Sequence, residues 1–556
     1  MTTLKGRLTK TPAMVWLLLL TLGFLLPFIG KAFFIDDTLF LRAAEQIQKH
    51  PMDFYGFDIN WYGYMTPMTV AFDNPPLTSY YIALVAWLFG WSEWILHLAF
   101  LVPALAAVSG IFVLAKNYCD RPFTATLIAV LTPVFLISAT AIMCDVMQLA
   151  FWVWALLFFE KGLRTDHRTQ FIVSGILAGL AFLTKYLGLS LIPLLLAYGI
   201  CAKRRPGWWL ITPIIPLVFV ACYQWLTYRL YGQGLLLGAA HEAAKFRANT
   251  HIIPSEQFIV GLSFVGACFI PVLFYIPWLW SRRIILASLC LVAGGLLVIP
   301  HMAAYSAVVW ENDGHLNWWM FFYIAILVVG GMSVFLLVAI DIWERRDATS
   351  VLLLLWVLGI FVFTVALNWT INGRSLLPAI PAVGILVARQ LARRKIPDPA
   401  HNHFLQTALP VFMAGGLSLL LVKADYDMAN DQRSAAIQLG RKYQASGKMI
   451  WYQFNNHWGF QYYIELLGAR AVEEKSPHYS AGDILVVVSD SRNFDTVDTN
   501  SSRQMRLVEK GEFGGKRFLS TADSRAEAGF YGTCIGILPF AIEKIPPQYF
   551  GVFQIL

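Results

Sequence analysis

The chain has 556 residues, of which 58% are hydrophobic and 14% charged, and its mean hydropathy is +0.59. That balance excludes a water-soluble globule, because apolar residues in this proportion exceed what one soluble core buries. The net charge of +8 sits in short basic loops between long apolar runs, where it acts as a topology signal and makes no case for a nucleic-acid partner.

The N-terminal flank carries Lys5, Arg7 and Lys10, and an apolar run follows from Met14 to Phe28. No small-residue cleavage site follows the run, so the expectation is a retained first span over about 11–31, with the N-terminus in the cytoplasm. An outer loop, 32–91, then opens with Asp36-Asp37. Within it Leu39 to Ile47 has helical spacing, and Asp73-Asn74-Pro75-Pro76 breaks the chain. The apolar run Leu77 to Phe89 is shorter than the ~20 residues a crossing needs, which predicts a re-entrant or interfacial helix.

Further apolar segments fall at 93–115, 122–142, 146–160, 169–184, 187–201, 207–230, 258–280, 284–304, 317–340, 350–368, 375–391 and 404–423. The predicted fold class is therefore an α-helical multi-span membrane protein with about 13 transmembrane helices. Lys116/Arg121, Lys161/Arg164/Arg168, Lys203/Arg204/Arg205, Arg282/Arg283, Arg345/Arg346 and Arg393/Arg394/Lys395 all fall on one side if 77–91 does not cross. That side is cytoplasmic by the positive-inside rule. The opposite side collects Asp36-Asp37, the turn Met143-Cys144-Asp145, the turn Thr184-Lys185-Tyr186, the loop 231–257 (with His241, Glu242, Lys245, Arg247 and His251), Glu311 to His315, and Asn368 to Arg374. After Lys423 the chain turns polar. The division expected is a membrane module over 1–423 and a small α/β domain over 424–556 on the outer face, with a strand at Asp483–Ser489 and helix near 428–446.

Two adjacent carboxylates at a bilayer surface read either as a helix cap, since Asp and Thr precede an amphipathic helix, or as a general base with a partner that tunes it. Asp145, at an outer helix end, reads as an interfacial residue or as a second acid facing the same cavity. Lys185 reads as a snorkelling lysine or as an anion ligand. Outward cations oppose the positive-inside trend, and Arg374 repeats the pattern, so together they suit a phosphate clamp in which Arg offers a bidentate fork. None of the seven cysteines forms a CxxC pair, and no ligand set for a metal stands out, so neither a disulfide framework, a metal nor a cofactor is expected. A base, an acid and two cations on the outer face fit displacement at a sugar anomeric carbon with a lipid phosphate leaving.

Asp36-Asp37-Thr38, Asp73-Asn74-Pro75-Pro76-Leu77 with Tyr80-Tyr81, Asp145, Leu183-Thr184-Lys185-Tyr186 and Gly373-Arg374-Ser375-Leu376-Leu377-Pro378 stand in an order that resembles the GT-C glycosyltransferases of the protein O-mannosyltransferase and lipid A aminoarabinose transferase group. The resemblance covers about residues 11–425. It implies Asp36 as the catalytic acidic residue, Asp37 at the position of a Glu that often follows it, and Lys185 and Arg374 at the lipid phosphate. Asp73 and Asn74 fall at substrate-binding positions, with Asn74 departing from the Lys or His of relatives. Tyr186 joins them as a substrate contact. The resemblance also implies an inverting transfer of one sugar from a polyprenyl-phosphate carrier to an envelope glycan, lipid or protein acceptor at the bacterial cytoplasmic membrane. Trp458 to Tyr463 is similar to a segment of bacterial relatives, and reads either as a packed amphipathic helix or as an acceptor contact. The alternative, a lipid-linked sugar or polysaccharide transporter, calls for paired repeats and polar groups at the bilayer midplane, whereas here the polar groups gather at outer helix ends.

Overall fold

The computed structural model describes residues 12–249, 253–311, 313–394, 402–445, 447–453, 458–473, 479–489, 494 and 504–556, with side chains in the helix from 402 described from residue 408 onward. Lys5, Arg7, Lys10, His251, Asn312 and Lys395 lie outside these residues. Among the described residues, nine helices are long and apolar enough to cross a membrane, and up to eleven if two bent pairs each count as one span. The bent pairs are Pro122–Val130 with Pro133–Ala139, at 63°, and Pro254–Cys268 with Ile270–Leu279, at 83°. Both breaks have a proline at the start of the second helix, where the ring cannot continue the hydrogen-bond ladder. Ala13–Phe28, Leu77–Phe89 and Arg168–Thr184 are shorter apolar helices. A count of 13 spans is therefore not reached by length alone.

Leu77–Phe89 has 13 residues, as its short apolar run predicts. Helix α1, Ala13–Leu25, leads through a turn into the outer loop. Helix α2, Asp37–Lys49, follows, and a short antiparallel hairpin of β1 (Asp58–Asn60) and β2 (Met65–Pro67) stands beyond it. In several helices the candidate site residues and the basic residues stand at opposite ends. Cys144–Thr165 runs from Asp145 to Arg164, Arg168–Thr184 ends beside Lys185, and Arg374–Arg393 runs from Arg374 to Arg393. At the basic end Arg389 pairs with buried Asp341 at 2.7 Å and donates to the Tyr118 carbonyl at 2.8 Å.

The expected end of the last span at 423 is not a break. One helix, Asn402–Gln444, runs without interruption across it. Beyond it five strands form a mixed sheet: β3 (Ile450–Tyr452), β4 (Arg470–Ala471), β5 (Ile484–Ser489), β6 (Met505–Phe513) and β7 (Gln548–Ile555), in the order β4-β3-β5-β7-β6. Strand β3 pairs parallel to β4 and β5, while β7 pairs antiparallel to β5 and β6. The predicted strand is β5, whose apolar run is buried on both faces, as its unbroken Ile-Leu-Val-Val-Val sequence requires. The 459–465 helix packs inward. Tyr463 donates to Glu93 at 2.7 Å and accepts from the Phe33 N–H at 2.8 Å, and Phe460, Tyr462 and Tyr463 are buried. This is the packed-helix reading of Trp458–Tyr463, because the rings are spent on the seam between the outer loop and the C-terminal domain.

Candidate active site

The turn after α1 fixes the first carboxylate. Ile35 has φ +52°, a left-handed conformation that costs a β-branched residue on the order of 1–2 kcal/mol. Strain of this kind survives only where its surroundings over-determine it. Here Asp37 does so: it is fully buried, and its two carboxylate oxygens accept the N–H groups of Phe34 at 3.0 Å and Ile142 at 2.8 Å. Burial pushes its carboxyl up to about 7, against the pull of Lys31 and the two N–H groups. Asp37 thus faces the backbone, whereas the Asp36 side chain is part exposed. Asp36 occupies the N-cap position of α2 but makes no side-chain cap hydrogen bond, so the capping reading does not describe it. Its Oδ2 instead accepts from Arg374 Nη2 at 2.6 Å.

Arg374 opens a 3-10 turn, Arg374–Ala379. Its Nη1 donates to Met143 Sδ at 2.7 Å and lies 3.9 Å from Asp145 Oδ2, while its Nε has no partner among the described residues. Asp145 is buried in the first turn of its helix. Its other oxygen accepts from Lys185 Nζ at 2.7 Å. Lys185 is placed by a tight return of the chain: a Cβ on Gly188 would lie 2.4 Å from the backbone of Ala181 and Phe182, so only glycine lets the following turn close here. Two cations far apart in sequence therefore meet on the two oxygens of one carboxylate, beside Asp36.

Asn74 joins this cluster, its Oδ1 accepting the Cys144 thiol at 3.6 Å. Tyr55 holds the same residue from behind, donating to the Asn74 carbonyl at 2.6 Å. Asp73 points to a second group. It is open to water but walled in by protein, and that crowding, with Glu242 and Asp36 nearby, pushes its carboxyl up to about 6. Tyr62, from the β1–β2 connection, feels Asp73, Asp36 and Glu242, and burial and these charges push its phenol up to about 12. Tyr186 belongs to this side, its hydroxyl 3.0 Å from that of Tyr223.

The structure thus gathers Asp36, Asp145, Lys185, Arg374 and Asn74 directly, and links Asp73 and Tyr186 through Tyr62, Glu242 and Tyr223. Sequence reasoning missed Tyr62, Glu242, Tyr223 and Tyr531. Glu242 stood in the loop 231–257 with nothing to single it out. Tyr531 comes from the C-terminal domain, its ring centroid 5.3 Å from the Arg374 guanidinium carbon. Arg247, in the same helix as Glu242, ties that element to the site by donating to the Asn368 carbonyl at 2.9 Å.

Residues 73–226 match the family model described as dolichyl-phosphate-mannose-protein mannosyltransferase. This segment holds Asp73, Asn74, Asp145, Lys185 and Tyr186. No curated protein sequence matches the chain. Solved structures with a similar course include AglB, the oligosaccharyltransferase of Archaeoglobus fulgidus, in complex with an inhibitory peptide and a dolichol-phosphate, at 14% identity and a TM-score of 0.47, covering 82% of this chain and 63% of that one. ArnT from Cupriavidus metallidurans bound to undecaprenyl phosphate aligns at 14% identity and a TM-score of 0.49, covering 89% of this chain and 95% of that one. The chain thus spans less than two thirds of the length of the archaeal enzyme.

Proposed function

We propose that the chain is an integral-membrane glycosyltransferase that moves a single sugar from a polyprenyl-phosphate carrier to an acceptor hydroxyl of the cell envelope, on a glycan, lipid or protein. The reading takes 1–423, with its outer loop 32–91, as the membrane module and 424–556 as a domain on the same outer face. The membrane is the bacterial cytoplasmic membrane, with the N-terminus inside, as the basic helix ends require by the positive-inside rule. The observation that carries the reading is the meeting of Lys185 and Arg374 on Asp145, within reach of Asp36. A family model for a dolichyl-phosphate-sugar transferase over 73–226 favours transfer over transport.

In this mechanism Asp36 is the general base. The acceptor oxygen attacks the anomeric carbon, its proton passes to Asp36, and the bond from that carbon to the phosphate oxygen breaks, inverting the centre. The phosphate leaves on its lipid, and the charge it gains is met by Lys185 and Arg374. Asp145 holds both cations at one point, so little reorganisation is needed when the phosphate arrives. Arg374 also pairs with Asp36 at 2.6 Å. A phosphate that draws the guanidinium away releases the base only when donor is bound. Asp37 fixes the backbone behind Asp36, and Asp73, Asn74 and Tyr186 line the side where the sugar sits.

Mass spectrometry of membrane lipids and envelope glycans tests the proposal, comparing cells that make the wild-type chain with cells that make Asp36→Asn. The expected result is accumulation of one polyprenyl-phosphate sugar and loss of that sugar from one glycoconjugate in the variant. Identical profiles with both proteins present in the membrane would overturn the assignment.

A further inference from the structure

Arg374 is held on one side by a residue of the C-terminal domain. The Tyr531 ring lies against its guanidinium at 5.3 Å. The ring is itself fixed: Tyr531 is 4% exposed, its hydroxyl donates to Asp425 Oδ2 at 2.9 Å, and Phe34 meets it edge-on at 6.3 Å. Asp425 also accepts from Lys31 Nζ and from Thr521, each at 2.5 Å. The loop that carries Tyr531 is laid along the Arg374 segment. The Gly373 N–H donates to the Phe530 carbonyl at 2.8 Å, the Thr533 N–H donates to the Ile371 carbonyl at 3.0 Å, and the hydroxyls of Thr370 and Thr533 are 2.9 Å apart.

We infer that Tyr531 is a positioning residue for the phosphate clamp, which makes the C-terminal domain a working part of the site. An aromatic face attracts a guanidinium through its quadrupole without taking any N–H donor. A carboxylate in the same place takes donors and offsets charge, and so competes with phosphate. Tyr531 orients the guanidinium and leaves its N–H groups to turn to an anion. The buried Arg374 Nε, which has no partner among the described residues, is one such group. The Tyr531 hydroxyl only locks the ring in place through Asp425. The ring and the hydroxyl therefore have separable roles. This inference rests on the reading of Arg374 as a phosphate ligand.

The test measures binding of undecaprenyl phosphate alone to the purified full chain in nanodiscs, with Arg374→Ala, Tyr531→Phe and Tyr531→Leu beside wild type. Arg374→Ala is expected to lose most binding. Tyr531→Phe keeps the ring and is expected within about twofold of wild type, whereas Tyr531→Leu is expected to bind about tenfold more weakly. In turnover the leucine variant is expected to raise the donor KM far more than it lowers kcat. Fluorinated phenylalanines at position 531 keep the shape and drain the ring quadrupole, and affinity is expected to fall stepwise with fluorination, which a purely structural role would not produce. If Arg374→Ala binds normally, the clamp reading fails. If Arg374→Ala loses binding while the leucine variant binds like wild type, or while fluorination changes nothing, the positioning role of Tyr531 alone is overturned.

Discussion

Arg374 Nη2 donates to Asp36 Oδ2 at 2.6 Å, joining the proposed base to a proposed phosphate ligand. The two residues stand at the opposite ends of the membrane module, and neither is the other's structural neighbour in sequence. Because the pair is part exposed, with side chains 13% and 27% accessible, its worth lies in exchange with substrate more than in stability.

The neighbouring carboxylates separate by function when each is neutralised. Asp36→Asn is expected to reduce turnover by about a hundredfold or more, the usual share of a general base, with the folded yield unchanged. Asp37→Asn presents an amide N–H2 to one of two backbone N–H groups. It is expected to lower stability by about 1–3 kcal/mol and to change turnover per folded molecule far less. Thermal midpoints in detergent, paired with single-turnover rates, check both.

Lys185→Ala and Arg374→Ala are each expected to weaken donor use about tenfold or more, the scale of one charge-assisted hydrogen bond. Because both cations share Asp145, their effects are expected to be non-additive, the double variant losing less than the sum of the two in free energy. Donor kcat/KM across the double-mutant cycle measures the coupling.

Asp73 gives the site a pH dependence. Crowding by the surrounding protein, with the charges of Glu242 and Asp36, disfavours ionisation and pushes its carboxyl up to about 6. An ionised Asp73 accepts hydrogen bonds from sugar hydroxyls with both oxygens, and protonation turns one of them into a donor. Donor kcat/KM is therefore expected to rise as pH increases through about 6, and the rise is expected to vanish in Asp73→Asn. A pH–rate series on the two proteins decides it.

Lys31 and Asp425 form an ion pair with side chains 1% and 0% accessible. Removing one partner strands a buried charge, so Lys31→Met is expected to destabilise the chain by about 3–5 kcal/mol. Asp425→Asn keeps an acceptor oxygen for Tyr531 and Thr521, and the double variant is expected to recover part of the loss. Denaturation midpoints of the two single variants and the double variant test this.

Hydropathy made the membrane module legible, because a bilayer core admits only segments whose backbone is internally bonded and whose side chains are apolar. The same rule kept Leu77–Phe89 from being read as a crossing. Length alone leaves the count open: Ala13–Phe28 and Arg168–Thr184, which the sequence marks as spans, are shorter than a full span among the described residues. Hydropathy missed that 404–423 continues as one helix to Gln444, since the apolar signal ends at the membrane while the hydrogen-bond ladder does not.

The polar residues that oppose their surroundings were legible for the same reason. Asp36, Asp145, Lys185 and Arg374 stand out because charge at the end of an apolar segment, opposite its basic end, needs a cause. Their partners were not. Whether Asp36 or Asp37 turns to the backbone depends on the left-handed turn at Ile35 and on the Ile142 N–H, a contact across 105 positions. Tyr531 and Glu242 carry no local mark, since a tyrosine in a soluble domain and a glutamate on a polar helix are ordinary there.

The sequence by itself determined that the chain is a helical membrane protein with a polar C-terminal domain, and it set out which charged residues lie at the ends of its apolar segments. These follow from composition and spacing along the chain. The tertiary structure alone decided that Lys185 and Arg374 share Asp145, that Asp37 serves the backbone, and that the C-terminal domain reaches Arg374 through Tyr531. Those are distances between segments far apart in the chain, and they are fixed by how the helices pack rather than by any local preference.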